Sequence, residues 1–287
     1  MKKLFRTAGV ILCAVALLFL AACDSSDYKK ATELYEYGQY DQAIALFTQL
    51  ADYKDSAQMI QQCTYSKAKN FYDSAKYAEA LPLFDELGDY QDSALMAKQA
   101  KVFLAKEAYD LGNTAEAVNM LAEIIDFMDA RVVLRAIMKK EIAETYYKYL
   151  EDGVELVNDC CETIKDNLYS KLFSGQSVML TPSSLISGTD KDVVALKEIR
   201  NQMTAFYTEY SACFSEEVLA LCEEDMVEAD KVFRQTHNYA MRFYDTYGSN
   251  GFVQWFIATI SSGSSSYSVD GLTDLVKDLE KAVNNLL

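Results

Sequence analysis

The chain has 287 residues, 51% of them apolar, with only two prolines and 11 glycines. That composition supports a sizeable core and disfavours a many-turned β fold, which points to helices in one or two domains. The formal charge of −16 repels nucleic acid and anionic lipid headgroups, so DNA and RNA are excluded as partners.

The first six residues, Met1-Lys2-Lys3-Leu4-Phe5-Arg6, are basic and carry no acid. An apolar stretch from Ala8 to Ala22 follows and ends in Leu20-Ala21-Ala22-Cys23. A basic start, a short apolar core and small closing residues form a secretory signal. The stretch is shorter than the about 20 apolar residues that span a bilayer, which argues against an uncut membrane helix. Leu20-Ala21-Ala22-Cys23 resembles the lipobox of bacterial lipoproteins. The resemblance implies diacylglycerol on the Cys23 thiol, cleavage before Cys23, palmitate as an acyl group of the anchor, and attachment to the extracytoplasmic face of a membrane. It also makes Asp24 similar to the signal that keeps Gram-negative lipoproteins in the inner membrane. Residues 1–22 are therefore expected to be a signal peptide and residues 23–27 a lipidated anchor with a short linker.

From residue 28 to about 146 the sequence repeats with a period of 37. Gly38-Gln39-Tyr40-Asp41-Gln42-Ala43 recurs as Ala75-Lys76-Tyr77-Ala78-Glu79-Ala80 and as Gly112-Asn113-Thr114-Ala115-Glu116-Ala117. The same step relates Ala31, Ala68 and Ala105, then Tyr35, Tyr72 and Tyr109, then Phe47, Phe84 and Leu121. Tyr53-Lys54-Asp55-Ser56-Ala57 returns as Tyr90-Gln91-Asp92-Ser93-Ala94, and more weakly from Phe127. A fixed period of this size signals stacked supersecondary units. Each unit reads as two helices joined at Gly38 or its equivalent, with Asp55 and Asp92 placed to cap the next helix. Pro82 is expected near a helix start, where a missing N–H is tolerated.

These residues resemble tetratricopeptide repeats: a small residue and an aromatic in the first helix, a Gly-x-Tyr turn, then Ala and an aromatic in the second. The period exceeds that family's usual 34 residues, and its closing proline is replaced by the Tyr-x-Asp-Ser-Ala stretch. The resemblance implies a groove lined by the first helices that holds extended or helical peptides. Tyr28, Tyr35, Tyr65, Lys69, Tyr72, Lys106 and Tyr109 are its candidate lining residues. Plain packing between helices is the competing role for the tyrosines, and Lys69 and Lys106 would then simply be solvated.

Residues 147–287 read as a helical bundle. Val154, Val157, Cys161, Ile164 and Leu168 mark one helix, and Ile199, Met203, Phe206, Tyr210 and Cys213 another. A long helix from about 216 to 246, interrupted only at Thr236, follows from Leu219, Cys222, Met226, Ala229, Phe233, Ala240 and Phe243. Leu272, Leu275, Leu279, Val283 and Leu286 mark the last. Loops are expected at Ser174–Asp190 and Ser261–Gly271. The apolar segment from Phe252 to Ile260, which holds Trp255, reads as a short buried helix or as a contact for a partner or membrane.

Little in the sequence points to catalysis. His237 is the only histidine, which excludes HExxH and other two-histidine metal motifs. It stands on a predicted helix without the Gly-x-Ser-x-Gly turn of an esterase. Glu216, Glu217, Glu223, Glu224 and Asp225 read as a solvated face and helix start. Beyond Cys13 and Cys23, five cysteines remain, Cys63, Cys160, Cys161, Cys213 and Cys222, an odd number without metal-site spacing. A bridge from Cys213 or Cys222 to the 160/161 pair competes with burial as small apolar residues. The expected protein is all-α: repeats of helical hairpins followed by an antiparallel bundle. No catalytic site, metal or cofactor is expected. Its expected role is binding or scaffolding of a protein or peptide at the membrane. A wall hydrolase using an acid pair, or a helical solute-binding lipoprotein of a transporter, are the alternatives.

Overall fold

A computed structural model describes residues 25–51, 53–175, 181–247 and 269–286. Cys23 and the Phe252–Ile260 segment lie outside the described residues. Among those described, the chain is all helix with no strand, as the composition and the repeats require. It divides into two compact units, Met1–Glu107 and Ala108–Leu287, with the division inside the third repeat.

The first unit contains α1 (residues 25–36), α2 (Tyr40–Leu50), α3 (Ser56–Asp73), α4 (Tyr77–Leu87) and most of α5 (Ser93–Asp110). α1 with α2 and α3 with α4 form successive hairpins. Each first helix ends in a Schellman motif. The Gly38 N–H donates to the Tyr35 carbonyl at 2.9 Å and the Gln39 N–H to the Leu34 carbonyl at 2.8 Å. The same pair of bonds recurs at Ala75 and Lys76. The motif needs a left-handed residue, and φ is +74° at Gly38 and +56° at Ala75. Ala75 therefore holds, at some strain, a conformation that glycine adopts freely.

The Tyr-x-Asp-Ser-Ala stretch joins one hairpin to the next through two short turns. The Tyr53 N–H donates to the Leu50 carbonyl and the Ser56 N–H to the Tyr53 carbonyl, and Tyr90 and Ser93 repeat both bonds. Each hairpin core is small and aromatic. Ala31, Ala43 and Phe47 are fully buried with Cys63 of the following helix, and Ala68, Ala80 and Phe84 do the same one period later. The alanines let helices approach, and the phenylalanine fills the gap left between them.

Two local expectations are corrected. Asp55 stands at the N-cap of α3 but makes no capping bond; its carboxylate instead accepts the Tyr28 hydroxyl. Pro82 lies in the middle of α4, not at its start. The proline nitrogen cannot donate to the Ala78 carbonyl, so one helical bond of α4 is missing.

The second unit starts with the end of α5, whose Gly112 and Asn113 form a third Schellman motif with φ +86° at Gly112. It continues through α6 (Thr114–Ala122), α7 (Met128–Lys140), a π-helical turn (Glu141–Tyr146) and α8 (Tyr147–Leu172). α9 (Pro182–Leu185) is a single turn inside the expected loop. α10 (Asp190–Cys213), α11 (Glu216–Ala220), α12 (Glu224–Tyr247) and α13 (Val269–Asn284) complete it. α8 packs on α10, α10 on α12, and α12 on α13.

The single helix expected over 216–246 is two helices. Ser215 caps α11 by accepting the Val218 N–H, and α11 ends after five residues. α12 restarts at Glu224, where the Met226 and Val227 N–H groups donate to the Glu223 carbonyl. Thr236 does not interrupt α12: it is buried, and its hydroxyl donates to the Val232 carbonyl one turn back. At Gly153 of α8, the Tyr244 ring of α12 fills the space of a side chain. A Cβ there would lie 2.5 Å from Tyr244 Cζ, and the Tyr244 hydroxyl donates to the Leu150 carbonyl.

Candidate interaction surfaces

The repeat tyrosines act first as latches between consecutive first helices. The Tyr28 hydroxyl donates to Asp55, and one period later the Tyr65 hydroxyl donates to Asp92 at 2.5 Å. The Asp55 carboxylate and burial push the Tyr28 hydroxyl up to about 12, and burial and Asp92 do the same for Tyr65. The Gln62 amide donates to the Tyr35 hydroxyl at 3.3 Å, and the Tyr72 hydroxyl donates to the Gln99 carbonyl oxygen at 3.4 Å. All four pairs span 27 residues, so one geometry is written twice. Tyr109 departs from it by donating to Glu141 at 2.8 Å, with Lys140 over its ring. Burial, then Glu141, raises its pKa.

What the first unit leaves at its surface differs from residue to residue. Tyr65 is buried, whereas Tyr28, Tyr35 and Tyr72 are half-buried. Lys69 and Lys106 are exposed. Phe103, one period from Ser66 and not singled out by the repeat pattern, is also exposed. It stacks parallel on Tyr77 at 4.5 Å and meets Tyr72 edge-on at 6.1 Å. Lys106 Nζ lies 5.7 Å from the Phe103 ring centre. α3, α4 and α5 thus present an aromatic cluster with Lys106 beside it.

In the second unit, His237 sits in an aromatic box. Tyr207 stacks on its ring at 3.9 Å, Phe233 lies beside it, and the Tyr146 hydroxyl is 3.0 Å from Nδ1. Burial lowers its pKa to about 4, so the imidazole is neutral near pH 7. Three aromatic rings surround it, and among the described residues no carboxylate is bonded to it; its geometry is that of a core residue.

Arg234 is the second polar feature of that core. Its Nε donates to Asp230 at 2.7 Å, Nη1 to the Tyr207 and Ser211 hydroxyls, and Nη2 to the Phe214 carbonyl. One guanidinium thus ties α12 to α10 and to the turn that follows α10. Asp230 and Arg234 are four residues apart on one helix, a spacing visible in the sequence, but the Tyr207 and Ser211 partners come from another helix. The acids expected to be solvated are partly recruited: Glu223 pairs with Arg131 and Arg135, and Asp225 with Arg135 at 3.2 Å.

The five described cysteines are free, with Cys63, Cys160 and Cys213 buried. No bridge links Cys213 or Cys222 to the 160/161 pair. Burial pushes the Cys63 and Cys222 thiols up to about 11 and Cys160 to about 12, away from the thiolate needed for nucleophilic or metal chemistry. Among the described residues, no three metal-ligating side chains converge, and no helix is long and apolar enough to cross a membrane.

Among the described residues, the fold is that of an all-α protein built from helical-hairpin repeats and longer packed helices. Compared with protein families, curated proteins and solved structures, the chain matches none of them.

Proposed function

We propose that this chain is a lipid-anchored binding or scaffolding protein on the extracytoplasmic face of the cell membrane, with no catalytic activity of its own. Its repeat unit engages a protein or peptide. The anchor rests on Leu20-Ala21-Ala22-Cys23 and the basic, apolar segment before it. The binding role rests chiefly on one observation: the exposed Phe103 ring, stacked on half-buried Tyr77 and edge-on to half-buried Tyr72, with Lys106 beside it and exposed Lys69 one turn before Tyr72 on α3. Rigid aromatic rings are what protein contact sites favour, because they bury much area with few torsions to freeze. The lysines would favour acidic segments of the bound chain.

Two experiments test the two halves of this reading. Replacing Cys23 with Ser should move the protein from the membrane fraction to the soluble one; a mutant that stays membrane-bound overturns the anchor. Photo-crosslinking from position 103 in intact cells should trap a discrete partner, and the trapped band should disappear in a Lys69→Glu/Lys106→Glu variant of the full chain. A crosslinking pattern that does not change in that variant overturns the repeat surface as the binding site.

A further inference from the structure

A second surface, in the other unit, has a different character. α13 packs along α12 and touches α8 only sparingly, which leaves an open groove of about 390 Å3 between α8 and α13. Its apolar floor is Leu150, Val154 and Val276, with both valines half-buried rather than covered. Its α8 rim is Glu151, Glu155 and Asp159, all exposed. These positions are four residues apart, so the helical repeat places them on one face, and Glu162 and Asp166 continue the same stripe beyond the groove. The opposite rim carries Lys277, which pairs with Asp274 at 3.7 Å, leaving the groove's edge negative.

The surroundings reinforce that sign. Residues 108–287 contain 29 acidic against 15 basic side chains. The stripe from Glu151 to Asp166 runs roughly 22 Å at 1.5 Å per residue, which is too long for one small solute to satisfy. A helix lying along α8 would meet every carboxylate in turn while its apolar residues covered the two valines. We propose that the α8/α13 groove docks an amphipathic helix of a partner protein, aliphatic on one face and carrying Lys or Arg at its edge. This surface is separate from the repeat cluster, and it stands or falls independently of that cluster's role.

Fluorescence anisotropy on the purified full chain tests it. The probe is a labelled amphipathic helix of about 18 residues made of Leu and Lys. The controls are the same residues scrambled and the Leu/Glu counterpart. The Leu/Lys helix should bind at low salt, more tightly than either control. Glu151→Lys/Glu155→Lys should weaken it about tenfold, the loss of two charge contacts at a partly apolar site. Val154→Ser/Val276→Ser should weaken it comparably, with unchanged circular dichroism showing that each variant folds. Glu216→Lys/Glu217→Lys, which changes the net charge equally away from the groove, should leave binding within twofold. Equal binding of the scrambled peptide, an equal loss in the Glu216/Glu217 variant, or no binding at all would each overturn the proposal. Concentration-dependent dimerisation abolished by the groove variants would overturn it too, because the occupant would then be a second copy of this chain.

Discussion

Ala75 offers a controlled test of the repeat geometry. It occupies the left-handed position that glycine fills at Gly38 and Gly112, with φ +56° against +74° and +86°. An alanine held there costs about 1–2 kcal/mol relative to its preferred conformations. Glycine removes that cost but adds about 0.4–1 kcal/mol of unfolded-state entropy. Ala75→Gly should therefore stabilise the protein by about 0.5–1 kcal/mol, in contrast to the usual Ala→Gly loss. The reverse changes, Gly38→Ala and Gly112→Ala, should each cost about 1 kcal/mol. That cost is conformational alone, because a Cβ at either glycine would meet no atom within 4 Å. Urea unfolding followed by far-UV circular dichroism measures all three. A lower midpoint for Ala75→Gly, or no loss for both glycine variants, would refute the claim that the three turns share one conformation.

Gly153→Ala should cost about 2–3 kcal/mol by forcing a Cβ into the Tyr244 ring, and calorimetry should show the loss largely recovered by a further Tyr244→Leu change. His237 should make stability depend on pH. Burial lowers its pKa from 6.5 to about 4, so the unfolded chain binds the proton more readily between those values. The stabilisation is fully present above pH 6.5 and falls as pH drops toward 4, by about 3 kcal/mol in all. Denaturant titrations at pH 7 and 5 should show a steeper fall for the native protein than for His237→Gln; equal slopes would remove the argument. Tyr65→Phe should cost about 1–2 kcal/mol by leaving Asp92 without its donor, and Asp92→Asn should cost less, which thermal melts can rank. Pro82→Ala should raise the melting temperature, because it restores an N–H for the Ala78 carbonyl in α4.

Much of the first unit was legible because its signals are local and repeated. A period of 37, a small residue facing a small residue, and a glycine where the chain reverses all survive without knowledge of the neighbours. Asp55 and Asp92 show the limit of that kind of reading. Their position suggested caps, but the partner that claims Asp55 stands 27 residues earlier, on the preceding first helix. Phe103 escaped notice because Ser66 holds its place one period earlier, so no repeated letter marked it.

The bundle shows the same division more sharply. Apolar spacing alone located α8, α10, α12 and α13, because a 3.6-residue repeat of buried positions needs only the helix's own geometry. It could not separate α11 from α12, since Leu219 and Met226 keep helical spacing across the break; the turn in which the Leu221 and Cys222 N–H groups donate to the Val218 and Leu219 carbonyls ends α11, and α12 begins anew from the Glu223 carbonyl. Nor could it foresee that Gly153 admits Tyr244, that Arg234 binds two hydroxyls from α10, or that Glu223 and Asp225 pair with Arg131 and Arg135. By itself, then, the sequence determined helix content, the 37-residue repeat and the acidic surface, since these follow from each residue and its near neighbours. Which polar groups are buried together, and where two helices part to leave a groove, depend on residues tens of positions apart and were decided only by tertiary packing.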